Sequence, residues 1–342
     1  MASDPWHSWH LHVDSLRPEA LETLLLEALL PAVDLLPPAP DGTPRPWFFL
    51  RYWQGGPHLR LRIAGLDAVA AARTTAELER RTAAVDAALP PGDRLTPQAY
   101  RQAVEPLAAL GEGGRPLPPE ELRPPGVHPA GYEPEDRRYG GTDLMALSEQ
   151  LFFASSVVTA RACRSRPGHG RSLLDGLEAM AATLAAWPGD RVVLLRAVRD
   201  GWSGLTATAG GADSVAARAD RLRPAAGALR ALADGAPSRW SAWTARLRPA
   251  AQLWSDRHGL PGAGRILGSH LHMTQNRLGV GAGREGLLAA LLLDLLGLPD
   301  PPGARTPAAP ARPAAPFSPA DRSGSSSSFG PEGPESPDGE RP

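Results

Sequence analysis

Residues Gly55–Ile63 read GGPHLRLRI, and the fold turns on how this stretch is taken. Side chains alternate across a strand, so a strand here sends Leu59, Leu61 and Ile63 to one side and His58, Arg60 and Arg62 to the other. The run before it, WFFLRYW (Trp47–Trp53), is rich in the aromatic residues that strands favour, and Gln54–Pro57 supply turn chemistry between the two. An antiparallel hairpin is therefore expected, its tight loop placing Arg51 near the His58/Arg60 row. Further upstream, Trp9–Val13 reads as a short strand with His10 and His12 on one face, followed by an apolar-periodic helix over about Pro18–Leu36.

Working outward toward the C-terminus, helical patterns cover about Asp67–Leu89 and Pro97–Leu110, and a Gly/Pro-rich connection leads to YEPEDRRYGG (Tyr132–Gly141). After Gly141 the pattern is mostly helical, with segments expected near Asp143–Cys163, Leu173–Trp187, Asp190–Arg199, Ser214–Asp234, Trp240–His258 and Glu285–Leu296. Strands early and helices late predict an α+β domain over residues 1–298, with an antiparallel sheet and hairpin in its N-terminal part and a mostly helical C-terminal part. Residues 299–342 are rich in proline, serine and glycine and poor in large apolar groups. They are expected to form a disordered tail.

Composition removes several function classes. All 36 basic residues are arginine. Without lysine the chain cannot form a pyridoxal phosphate Schiff base, supply the lysine of a phosphate-binding P-loop, or use a lysine as general base. A single cysteine, Cys163, excludes an intrachain disulfide and any cysteine-cluster metal site, which fits a reducing compartment. A formal net charge of −1 gives no global pull toward nucleic acid. No signal-peptide pattern opens the sequence and no apolar run is long enough for a bilayer, so a cytoplasmic protein is expected.

Three clusters carry candidate chemistry. Arg60 and Arg62 lie two apart on the hairpin among many aromatics, and neighbouring guanidiniums make a fork for carboxylate or phosphate. Taken alone, such arginines also suit the solvated face of a sheet. Glu135 and Arg138 sit in YEPEDRRYGG, where the bland alternative is a surface ion pair worth about 0–1 kcal/mol. SHLHMTQNRLGV offers His270, His272, Asn276 and Arg277, histidine being the side chain that titrates near neutrality. The pairs His10/His12 and His270/His272 invite a metal reading, but HExxH, a cysteine partner and a dense carboxylate group are all missing, so no metal is assigned. Neither G-x-S-x-G nor a dinucleotide-binding glycine fingerprint occurs.

In this order, WFFLRYWQGGPHLRLRI, YEPEDRRYGG with SEQLFFASS after it, and HMTQNRLGV resemble the C-terminal elimination domain of class I lantibiotic dehydratases, which also occurs as a separate thiopeptide-type bacteriocin biosynthesis protein. The resemblance spans about Trp6 to Leu296. It implies a carbon–oxygen lyase that expels glutamate from glutamylated Ser or Thr of a precursor peptide, leaving dehydroalanine or dehydrobutyrine. By motif it assigns Arg60, Arg62, Glu135, Arg138 and His272 to catalysis, with His272 kept neutral by neighbouring guanidiniums. Arg51, His58, Tyr139, Asn276 and Arg277 become substrate-binding candidates. No cofactor and no metal are implied. The partners would be a ribosomally made precursor peptide and a separate glutamyl-tRNA-dependent glutamylating subunit, without membrane or direct nucleic-acid binding, and a homodimer is compatible with it. The connection from Arg62 to Glu135 is longer than expected of fused dehydratases, which points to the stand-alone branch. Some of that branch instead join two dehydroalanines in an aza-[4+2] cycloaddition, making a pyridine. Because such synthases tend to lose the elimination residues, their presence here favours elimination. A non-catalytic module that binds precursor peptide along a sheet edge is the third reading.

Overall fold

The computed structural model describes residues 5–110, 117, 120–165, 169–201 and 212–298. The expected tail, 299–342, lies outside the described residues.

Strands β1 (Trp6–His12), β2 (Trp47–Tyr52), β3 (His58–Ala64) and β4 (Gly126–Ala130) form one antiparallel sheet in the order β2-β3-β1-β4. The hairpin forms as the alternation requires, with Gly55 and Gly56 both at positive φ (77° and 103°) in its turn. Leu59, Leu61 and Ile63 are fully buried with Trp9, Leu11, Trp47 and Phe49 on one face. Burying each large aliphatic side chain there contributes about 1.5–3 kcal/mol. The opposite face carries Ser8, His10 and His12 from β1, His58, Arg60 and Arg62 from β3, and Phe48, Leu50 and Tyr52 from β2.

Two helical layers enclose the sheet. The apolar face is covered by the N-terminal helix, built of α1 (Pro18–Thr23), a π-type segment (Leu24–Leu29) and α2 (Leu30–Asp34), and by α3 (Ala68–Ala87). α4 (Pro97–Leu110) packs Tyr100 and Val104 beside the hairpin turn, where the Tyr100 hydroxyl accepts the Gly55 N–H at 2.8 Å.

The charged face looks toward a larger helical body: α5 (Thr142–Ser165), α6 (His169–Leu184), α7 (Arg191–Gly201), α8 (Ala212–Leu222), α9 (Ala226–Ala233), α10 (Ser241–Arg277) and α11 (Ala282–Leu295). Trp240, Trp243 and Trp254 fill the centre of this body. The α+β class holds.

Particular boundaries differ from the sequence reading for local reasons. The helix expected over Ser214–Asp234 is two, separated at a turn over Arg223–Ala225 that contains Pro224. The helix expected to stop near His258 breaks at Gly259 (φ 66°, ψ 169°), in the left-handed region, and resumes through Pro261 to Arg277. Strand β4 is an addition. Its sequence, GVHPA, holds a proline and a glycine and is placed at the sheet edge, where a proline does least damage to the ladder.

Candidate active site

Arg62 is 1% exposed, at the middle of the sheet face, opposite Phe48 on β2 and Ser8 on β1. Its guanidinium carbon stands 5.4 Å from the Phe48 ring centre and 5.1 Å from that of Tyr132. Trp6, Phe48 and Tyr132 pack edge-to-face around it, with centroids 5.0 to 5.7 Å apart. Arg60 lies 3.6 Å over the Tyr52 ring and donates from Nε to His58 Nε2 at 3.1 Å. The aromatic richness of the hairpin thus has a physical use: ring faces hold the two guanidiniums in a largely buried site. Burial lowers the Arg62 pKa to about 10, and Arg60 adds to the lowering.

YEPEDRRYGG forms a short 3₁₀ turn over Asp136–Tyr139 that ends on Gly140 in the left-handed region (φ 94°). A Cβ at Gly140 would come within 2.9 Å of Ile266 Cδ1, so glycine serves both conformation and close packing. The turn brings Arg138 Nη1 to 3.2 Å from Glu135 Oε2, and the Arg138 side chain is only 5% exposed. The arginine of this pair is buried and the carboxylate partly exposed, so the pair lies at the margin of the interior. The arginine's Nε and Nη2 are buried with no protein partner, and Arg138 itself is not among the residues lining the pocket beside it. Tyr139 is buried among Arg138, Arg277 and Arg62; burial drives its pKa up to about 12 despite those charges.

The last cluster lies on the final turns of α10. Arg277 is 1% exposed, donates from Nε to the Phe49 carbonyl at 2.9 Å, and has its pKa lowered to about 9 by burial. Asn276 clasps the backbone of Arg51, and Met273 and Arg277 line a pocket with Phe48, Leu50, Arg62, Tyr132, Glu133, Glu135 and Tyr139. The pocket encloses ≈ 320 Å³ including its mouth, but only ≈ 20 Å³ is open to water-sized atom centres. That is room for a water or the tip of a carboxylate, so a larger group must enter head first and widen it.

The structure does not gather every candidate. Arg51 is in register with Leu59, on the apolar side of β2, and forms an ion pair with Glu22 at 2.6 Å while donating to the Arg277 carbonyl. It is therefore a brace, and the expectation that it joins the His58/Arg60 row is corrected. Positions 270 and 272, two apart on a helix, point to different sides. His270 is the one surrounded by site groups. It contacts Tyr139 and Phe152, stacks on Trp254, and its pKa is lowered to about 3 by burial, then by Arg277 and Arg138. Arg277 and Arg138 thus act on His270. His272 Nδ1 meets Glu285 Oε1 of α11 at 2.7 Å, both side chains being buried.

Tyr132, Glu133, Phe152 and Glu285 were not singled out from sequence. Tyr132 sits in the same motif as Glu135, which was the available signal. Glu285 lies on a different helix from its histidine and gives none. Among the described residues no helix is long and apolar enough to cross a membrane.

A family model described as lantibiotic biosynthesis dehydratase C-term matches residues 6–296. No curated protein matches the chain. Among solved structures, the chain is similar to TbtD, a pyridine synthase from thiomuracin biosynthesis, at 22% identity and a TM-score of 0.65 over 85% of this chain and 97% of that one. It is similar to TsrL at 18% identity and a TM-score of 0.55, over 86% and 95%. It also resembles the tRNA-dependent lantibiotic dehydratase MibB from Microbispora sp. 107891, at 20% identity and a TM-score of 0.50, over 87% of this chain and 28% of that one. At these identities the likeness concerns the fold.

Proposed function

This chain belongs to the lantibiotic biosynthesis dehydratase C-terminal family, and from that premise we propose that it is a stand-alone elimination enzyme acting on glutamylated Ser or Thr of a precursor peptide. The observation that carries the reading is the Arg138 guanidinium, held by Glu135 through one nitrogen while Nε and Nη2 stay buried without a protein partner, in a cluster with Arg62 and Arg277. Such a fork fits a carboxylate.

The reaction removes a Cα proton, breaks the Cβ–O bond and releases glutamate as a carboxylate. Negative charge grows on the peptide enolate oxygen and on the leaving group, where fixed guanidiniums stabilise it most in a water-poor site. In this proposal Arg60 and Arg62 receive that charge, Arg138 grips a carboxylate, and Glu135 positions Arg138 and offers an acceptor to the glutamyl ammonium. Arg277 and Tyr139 shape the pocket.

By its motif position we assign the base to His272, which faces the α11 side of its helix while the arginines face His270, so the assignment requires the substrate Cα to reach that side. Glu285 accepts from its Nδ1–H, the arrangement in which a carboxylate fixes an imidazole tautomer. His270 is a feeble base with a pKa of about 3, and it is stacked inside the protein. Glutamylation falls to a separate glutamyl-tRNA-dependent subunit, and the reaction is placed in the cytoplasm.

The pyridine synthase reading has one observation in its favour, the end-to-end correspondence with TbtD. Two synthetic peptides separate the two. Glutamyl esters on serine should lose glutamate, and a peptide already carrying two dehydroalanines should be returned unchanged. Cyclisation of the second with no turnover of the first would reverse the assignment.

A further inference from the structure

The sheet face that carries Arg60 also gathers histidines that elimination leaves unused. His10 and His12 on β1 stand opposite Arg60 and His58 on β3. The His12 and His58 rings stack with centroids 4.2 Å apart, and those of His10 and His58 are 4.8 Å apart. One nitrogen from each of the three lies within 4.8 Å of the others. We infer that His10, His12 and His58 form a binding site for a divalent transition-metal ion of the zinc class, with three imidazole ligands and a fourth position left for water.

Two further observations support it. His58 donates from Nδ1 to the Gly56 carbonyl at 2.8 Å, which leaves Nε2 as the lone-pair nitrogen, and a backbone carbonyl is a usual orienting partner of metal-binding histidine. His12 is 1% exposed, yet neither ring nitrogen has a hydrogen-bond partner in good geometry; a metal ion would supply one. His128 stands at the margin, its ring 5.1 Å from that of His12 and its Nε2–H held by the Pro124 carbonyl.

Arg60 opposes the ion. Its Nε–H occupies the same His58 lone pair, and its charge repels a cation. Zinc–nitrogen bonds of 2.0–2.1 Å put tetrahedral ligands about 3.4 Å apart, so the three rings must also close up by side-chain rotation. Metal occupancy and the Arg60–His58 bond therefore exclude one another, and Arg60 sets the affinity.

The test needs no elimination assay, so it stands apart from the proposed function. Chelator-stripped full-length protein is titrated with Co²⁺ as the probe. One equivalent should give the visible d–d bands of a nitrogen-bound, four-coordinate ion, and Zn²⁺ should bleach them. His12→Ala should abolish the bands, and Arg60→Ala should tighten binding by on the order of tenfold, as removal of an adjacent positive charge requires. Circular dichroism checks the fold; if His12→Ala is unfolded, His10→Ala at the half-buried position decides in its place. Absence of stoichiometric bands, unchanged affinity in the histidine variant, or weaker binding by Arg60→Ala would each overturn the assignment.

Discussion

Asn276 takes the backbone of Arg51 with both ends of its amide: Oδ1 accepts the Arg51 N–H at 2.8 Å, and Nδ2 donates to the Arg51 carbonyl at 2.9 Å. β2 is an edge strand of the sheet, and this side chain pairs with it as another strand would. Both ends being engaged, Asn276 is better placed to join α10 to the sheet than to bind substrate. Asn276→Asp should cost about 1–3 kcal/mol, because an acceptor then faces the Arg51 carbonyl. Urea unfolding measures the loss, and an unchanged midpoint would show that the clasp is not needed.

Arg62→Met keeps most of the side-chain volume and removes the charge. Loss of one stabilising donor at developing charge lowers the rate by about 10²–10³, so glutamylated peptide should accumulate in a coupled reaction. Methionine still fills the space against the Phe48 and Tyr132 rings, so the variant should remain folded at the assay temperature. Mass spectrometry of the peptide and a thermal melt give both readings, and normal yields of dehydro residues would remove Arg62 from the catalytic set.

His272→Phe should abolish elimination, and Glu285→Gln should lower kcat with little change in KM, since it misorients the imidazole without touching substrate. His270→Phe keeps the stack on Trp254 and should retain most activity. The reverse pattern would transfer the base to His270.

Four histidines have folded-state pKa values lowered by burial: His10 to about 2, His12 and His270 to about 3, and His58 well down. Above an unfolded-state value of about 6.5 all are neutral in both states and pH has no effect through them. Below it the unfolded chain takes up protons that the folded chain refuses, so stability falls with pH until the folded pKa values are reached. Each group contributes a loss of about 1.4 kcal/mol per pH unit in that window. The melting temperature of chelator-treated protein should drop steeply between about pH 6.5 and about pH 5. His270→Phe should flatten the slope. A level profile would mean that these rings are protonated in the fold.

The hairpin and the α+β class were legible because strict alternation has few other readings. Arg51 was misplaced by parity. The register pairs Tyr52 with His58, so Arg51 falls opposite Leu59, and no property of the turn residues alone announces that offset. The resumed half of α10 stayed hidden behind Gly259 and Pro261, which ordinarily end a helix. Once that segment is helical, the H-x-H spacing no longer aims two rings at one point, which is why His270 and His272 part company. The opposite holds for His10 and His12. Their third companion comes from the neighbouring strand, a proximity that only strand pairing creates.

The two-sided character of β3 makes its length more constrained than its composition. Shortening the strand by a single residue would turn every later side chain over, driving guanidinium into the apolar layer and leucine into the charged one. Homologous exchanges along His58–Ile63 leave each layer its own chemistry, whereas one lost codon inverts both at once. Natural variation of this hairpin should accordingly take the form of replacements, with gains and losses of residues confined to the loops on either side.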